Sequence, residues 1–200
     1  MKQGQVRIIS GKWRGRKLHF PAVLGLRPTP DRVRETLFNW LAPVIVGANC
    51  LDLFAGSGAL GLEALSRGAA HLTAIDQSAA LVDYLRQLIV TLKIENMTIH
   101  RAPIPSADLP IPIKAKGPFD IVFLDPPFHQ DLIAPCCEWL EQQKLLAPEA
   151  LIYLETEATL NPLPIPSHWQ LLHSKKAGQV SYHLASHVGS VATLLDPTYI

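Results

Sequence analysis

Apolar positions along the chain first alternate, then recur every three to four residues, and from Asn49 onward switch between these two periods in regular succession. Residues 6–20 predict a β-hairpin: Val6, Ile8 and Ile9 form one strand, Ser10-Gly11 turns, and Leu18 and Phe20 alternate on the return. Pro28-Thr29-Pro30-Asp31 predicts a helix start, with Thr29 as the N-cap and Pro30 as the first helical residue. Val33, Leu37, Trp40 and Leu41 share one face of that helix, and Pro43 stops it. Strands are then predicted at Cys50–Phe54, His71–Ile75, Thr98–His100, Asp120–Leu124 and Leu151–Leu154. Helices fall at Ala59–Ser66, Ala79–Leu92 and about Leu132–Gln142. Trp169–Leu172 and Val180–Ala185 read as an antiparallel pair turned at Ala177-Gly178. This alternation predicts an α/β fold with a mainly parallel, Rossmann-like sheet. Ligands would bind at the C-terminal strand edges.

Composition narrows the class. The chain has 200 residues, 48% hydrophobic and 18% charged, with mean hydropathy +0.16, enough to bury the core of one α/β domain. A secretory signal is not expected at the N-terminus, nor a bilayer-spanning run elsewhere. Cys50, Cys136 and Cys137 read as small buried apolar residues in a reducing cytoplasm, and the eight histidines show no zinc-like spacing, so no metal is expected. The net charge of +1 hides an asymmetry: residues 1–35 sum to +7 and the remainder to −6. The division expected is a basic hairpin and helix (1–45), a catalytic domain (46–188) and an unassigned tail (189–200).

Leu51-Asp52-Leu53-Phe54-Ala55-Gly56-Ser57-Gly58-Ala59-Leu60-Gly61 is a strand, a glycine turn and a helix start. Glycines admit positive φ and let backbone approach a ligand closely. The G-x-G-x-x-G spacing alone suits a dinucleotide equally well, or a chance turn. Asp76, at the end of the next strand and twenty residues after Gly56, could hold both hydroxyls of an adenosine ribose. Asp52 favours a cationic sulfonium and amino-acid ligand over a pyrophosphate, although a carboxylate that merely braces the loop would look the same. The candidate cofactor contacts are Asp52, Phe54, Gly56, Ser57, Gly58, Asp76 and Gln77, and the cofactor is S-adenosyl-L-methionine, leaving S-adenosyl-L-homocysteine.

Asp125-Pro126-Pro127-Phe128 follows the buried fourth strand. Two prolines lock φ and remove two donors, leaving their carbonyls as acceptors. A carboxylate and a proline carbonyl can accept both protons of one planar NH2 group, and Phe128 can stack on the base that carries it. An exocyclic base amine is a poor nucleophile, since its lone pair is delocalised. Fixed acceptors favour the pyramidal, charge-developing nitrogen of the transition state. Asp125, Pro126 and Phe128 are the candidate catalytic residues; His129 is not needed as a base.

These residues carry a resemblance. The chain is similar to the RsmD-type family, class I methyltransferases that make N2-methylguanosine in bacterial 16S ribosomal RNA, over nearly its whole length from Arg7 to about Leu184. The matching segments begin at Arg7-Ile-Ile-Ser-Gly-Lys-Trp, Leu26-Arg-Pro-Thr-Pro-Asp-Arg, Leu51-Asp-Leu-Phe-Ala-Gly-Ser-Gly, Asp125-Pro-Pro-Phe and Ala177-Gly-Gln-Val-Ser-Tyr. The resemblance implies a seven-stranded sheet ending in a hairpin, with Asp52 and the glycines lining the cofactor. It further implies that Asp76 holds the ribose, and that residues 125–128 hold a guanine amine of the small ribosomal subunit. The chain departs from the family at Asp76, where members usually carry Glu. It departs also at Ala102, where relatives often place Asp or Asn against the adenine amine.

Trp13, Arg14, Arg16, Lys17, Arg27, Arg32 and Arg34 belong to the basic head and are the candidate RNA contacts, the arginines and lysine on phosphates and Trp13 on an unpaired base. A solvated positive surface with Trp13 packed inward is the plainer account. The expected partner is 16S ribosomal RNA, within the small subunit or an assembly intermediate, met by a monomer. Three rivals remain at this level: a methyltransferase of adenine N6 or a protein amide, an NAD-linked oxidoreductase, and a non-catalytic ribosome-assembly protein.

Overall fold

The computed structural model describes residues 4–188 apart from Leu24, Gly25, Arg27, Ala115 and residues 107–110. A hairpin of β1 (Gly4–Arg7) and β2 (Lys17–Phe20) pairs Val6 with Leu18. Helix α1 (Asp31–Leu41) follows. Then come β3 (Asn49–Asp52), α2 (Ala59–Ser66), β4 (His71–Asp76), α3 (Ala79–Leu92) and β5 (Met97–Arg101). A single helical turn α4 (Ile111–Lys114), β6 (Phe119–Leu124), α5 (Ile133–Gln142), β7 (Leu146–Glu157), β8 (Trp169–Ala177) and β9 (Val180–His187) complete the chain. The seven-stranded sheet has the order β5-β4-β3-β6-β7-β9-β8, with β5 to β7 parallel and β9 and β8 antiparallel. Among the described residues no helix is long and apolar enough to cross a membrane.

Each strand's alternation divides its side chains between two cores. Cys50, Phe123, Tyr153 and Leu184 pack with α1, α2, α3 and the hairpin, while Leu51, Leu53, Val122 and Leu154 pack with α5. All three cysteines are buried, as expected. Val6, Ile8, Leu18 and Phe20 of the hairpin lie in the first core, so the basic head is continuous with the sheet domain. Gly178, at φ 64°, turns β8 into β9 at the expected place.

Three local expectations are corrected. The first hairpin does not turn at Ser10-Gly11 but through a 3₁₀ turn at Gly11–Trp13. The fifth predicted strand is much longer than Leu151–Leu154 because β7 runs from Leu146 through an irregularity in its pairing with β6. Pro30, not Thr29, occupies the N-cap of α1, and the Thr29 hydroxyl is spent elsewhere.

Candidate active site

The C-terminal ends of β3, β4, β6 and β7 gather the acids. Asp52 pairs with Phe123, so Asp125 lies two residues beyond it on the same face. Leu124 pairs with Leu154, which sets Glu155 level with Asp125. Asp52 is 2% exposed, and its Oδ1 has no hydrogen-bond partner. Burial lifts its carboxyl to about 7, helped by Asp76 and opposed by the N–H groups of Phe54 and Gly61. A buried acceptor without a partner beside the glycine turn can receive a cationic or hydrogen-bonding group.

The turn itself needs glycine. Gly56 (φ +52°) and Gly58 (φ +77°) are left-handed, and a Cβ on Gly61 would come within 2.6 Å of Leu72 and 3.2 Å of the Asp52 carboxylate. Asp76 accepts from Gly56 N at 2.9 Å and Ser78 N at 2.8 Å, bracing the loop while each oxygen keeps a further lone pair for a ribose hydroxyl. Ser57 is buried, Phe54 half-buried and Gln77 exposed, all at this edge. The Gln77 carbonyl accepts from Arg101 Nε at 3.2 Å, and Ala102 N donates to the Asp76 carbonyl. These residues fit an adenosyl cofactor with an amino-acid end.

Asp125 accepts from Thr29 Oγ1 at 3.2 Å. Burial, then the carboxylates of Glu155 and Asp52, push its carboxyl well above the ordinary range. Pro126 is buried, whereas Pro127 and Phe128 are exposed. Beside them opens a cavity of about 240 Å³ lined by Pro126, Phe128, Asp131, Leu132, Glu155 and Glu157 among others. The slot is thus lined by Pro126, Pro127 and Phe128, the residues that directly follow Asp125. His129 is exposed, and its backbone N–H donates to the Glu157 carboxylate.

The sequence reading missed Thr29, Tyr153 and Glu155 as members of this site. Glu155 is 5% exposed, its Oε2 accepts from the Tyr153 hydroxyl at 2.9 Å, and burial raises its carboxyl. Its signal was present: an acid inside an apolar strand run, Leu151-Ile-Tyr-Leu-Glu.

The basic head is only partly as expected. Lys12, Arg14, Arg16, Lys17 and Arg32 are exposed. Trp13 is half-buried against the core, with Lys12 Nζ 5.4 Å from its ring centroid. Arg27 lies outside the described residues. Arg34 is not a surface cation: fully buried, it bonds Asp31 at 2.6 Å and the Arg7 carbonyl at 2.8 Å, and lies 3.6 Å from Glu63. No phosphate can reach it there.

Among the described residues the histidines include one convergence that spacing did not reveal. Glu141, His168 and His187 bring their ligand atoms within 4.8 Å of one another, with Glu141 Oε1 also accepting from Trp169 Nε1 at 2.6 Å. This grouping joins the ends of α5 and β9 at the opposite sheet edge, away from the glycine loop.

The family model described as "Conserved hypothetical protein 95" matches residues 6–186. The chain is 54% identical to ribosomal RNA small subunit methyltransferase D of Escherichia coli over 183 residues, 90% of this chain and 89% of that protein. It is 47% identical to the protein of the same name in Haemophilus influenzae, over 91% of this chain and 94% of that one. The solved structure of yhhF from Escherichia coli, described as a methyltransferase, superimposes with TM-score 0.80 at 52% identity, covering 92% of this chain and 99% of that chain.

Proposed function

The chain belongs to the conserved hypothetical protein 95 family, and from that membership and the site we infer that it is an S-adenosyl-L-methionine-dependent methyltransferase of 16S ribosomal RNA, acting on the exocyclic N2 of a guanine. The single observation that carries the chemistry is the Asp125-Pro126-Pro127-Phe128 turn, whose last three residues line an open slot, beside a glycine loop where Asp52 Oδ1 is buried without a partner. The cofactor supplies a methyl already activated on a sulfonium. With the cofactor bound, Asp52 would face its cationic amino-acid end, the backbone of Gly56 to Gly58 would permit close approach, and Asp76 would hold the ribose. The Asp125 carboxylate and Pro126 carbonyl would accept the two amine hydrogens, orienting the nitrogen and stabilising the charge it develops. Phe128 stacks on the base. Asp125, whose burial favours its protonated form, can hold the proton the methylated amine gives up.

Lys12, Arg14, Arg16, Lys17 and Arg32 hold RNA phosphates, and Trp13 borders the same surface. The monomer acts in the cytoplasm on the small subunit or an assembly intermediate, with no metal in the reaction. Incubating subunits that lack the modification, or their free RNA, with labelled cofactor and analysing the nucleosides by mass tests the reading. N2-methylguanosine is the expected product, and N6-methyladenosine would refute it. Asp125→Ala should lower the rate by about a hundredfold or more while RNA affinity stays nearly unchanged. Undiminished methylation would remove Asp125 from the mechanism.

A further inference from the structure

Next to Asp125 on the sheet, a second acid reaches the slot that Pro126 and Phe128 line. Glu155 is level with Asp125 on the neighbouring parallel strand, and level side chains of parallel strands share a face. Glu155 borders the same cavity as Pro126 and Phe128. Setting a second buried acid beside Asp125 is unfavourable, since each opposes the other's ionisation. An apolar residue or a glutamine would serve packing at lower cost. The grip on the amine already uses Asp125 and the Pro126 carbonyl, so that pairing leaves Glu155 over.

We propose that Glu155 accepts the N1–H of the target guanine and thereby selects guanine over adenine. The proposal rests on the guanine-amine reading of the site. Guanine's pairing edge carries N1–H beside the N2 amine, so three hydrogens lie in one plane against three acceptors: Asp125, the Pro126 carbonyl and Glu155. Adenine offers an amine beside a bare N1. A carboxylate facing that nitrogen sets lone pair against lone pair in a desolvated slot, and a site built for a hydrogen bond rejects the base that lacks it. The diproline turn alone grips either amine; Glu155 tells the bases apart. The Tyr153 hydroxyl, donating to Oε2 at 2.9 Å, orients the carboxylate and works against the rise that burial gives it.

2-Aminopurine keeps the exocyclic amine of guanine but presents a bare N1. Ribosomal RNA carrying guanine or 2-aminopurine at the mapped acceptor position would be methylated by the wild-type protein and by Glu155→Gln, comparing kcat/KM. Wild type should prefer guanine by about tenfold or more, the worth of one charge-assisted hydrogen bond. Glu155→Gln, whose amide can donate to a bare N1, should narrow that ratio to about threefold or less. Calorimetric binding of S-adenosyl-L-homocysteine to both proteins reports whether the variant keeps its fold and cofactor site. A ratio unchanged by the variant, with both substrates slowed equally, would overturn the proposal and leave Glu155 a brace for Tyr153. Wild type using 2-aminopurine as readily as guanine overturns it even where the variant fails to fold. Failure of the wild type to make N2-methylguanosine would instead strike the function reading beneath it.

Discussion

Asp52 holds a buried carboxyl at about 7 with Oδ1 unpartnered, a state that pH moves in two measurable ways. In the unfolded chain this acid ionises in the ordinary carboxylate range, whereas the folded protein retains its proton up to about 7. Over that window the folded state binds more protons, so the stability of the ligand-free protein falls as pH rises from about 4 to above 7. Asp125 and Glu155, both raised by burial, act with the same sign. Asp52→Asn should flatten part of this slope in thermal melts run across pH. A ligand bearing an ammonium favours the ionised form, so binding releases a proton. Affinity for S-adenosyl-L-homocysteine should therefore be about tenfold weaker at pH 6 than at pH 8 by calorimetry. A pH-independent affinity would mean that Asp52 does not face the amino group.

At the scale of elements, the hairpin is fastened to α2 by polar groups inside the protein. Glu63, fully buried, accepts from Ile9 N at 2.7 Å, Ser10 N at 3.0 Å and Arg67 Nε at 2.7 Å, and it neighbours Arg34. Ser66 Oγ accepts from Trp13 N at 3.0 Å and donates to the Ser10 carbonyl. Gly11 is required where the hairpin meets α2, since a Cβ there would lie 1.7 Å from the Ser66 carbonyl oxygen. Glu63→Ala removes the buried carboxylate beside Arg34, which keeps Asp31 and the Arg7 carbonyl, and takes the acceptor from two backbone N–H groups and Arg67 Nε. It should cost about 3–5 kcal/mol in denaturant melts, the scale for breaking a buried ion pair from one side. A loss under about 1 kcal/mol would show that water or Asp31 takes over. The order of strands and helices and the final hairpin were legible from period alone, although β7 and β8 run well past the bounds that period gave them. What period could not show is that the head and α2 share these bonds, because Glu63 reads simply as one polar position in a helix.

Over the whole molecule, a head of +7 sits on a body of −6, and the head's exposed cations among the described residues lie on the hairpin and the outer side of α1. Replacing Arg14, Arg16 and Lys17 together by Gln should weaken RNA binding and flatten its salt dependence by about one unit of log–log slope for each phosphate no longer neutralised. Affinity for S-adenosyl-L-homocysteine should not change, because the cofactor edge is built from other elements. An unaltered salt slope would place the RNA footprint elsewhere.

The amino-acid order by itself determined the strand–helix succession, the glycine turn with its acids Asp52 and Asp76, and the rigid Asp125–Phe128 turn. Each of these depends on neighbours within a few residues, where φ limits and side-chain periodicity act directly. Tertiary structure decided the rest. Thr29 reaches Asp125 across 96 residues, Arg34 finds the Arg7 carbonyl 27 residues away, and Glu155 comes level with Asp125 through strand pairing. An arginine on a helix has the same local pattern whether it meets a phosphate or a buried glutamate. Long-range packing sets which partner desolvates it, and with it the charge the surface presents.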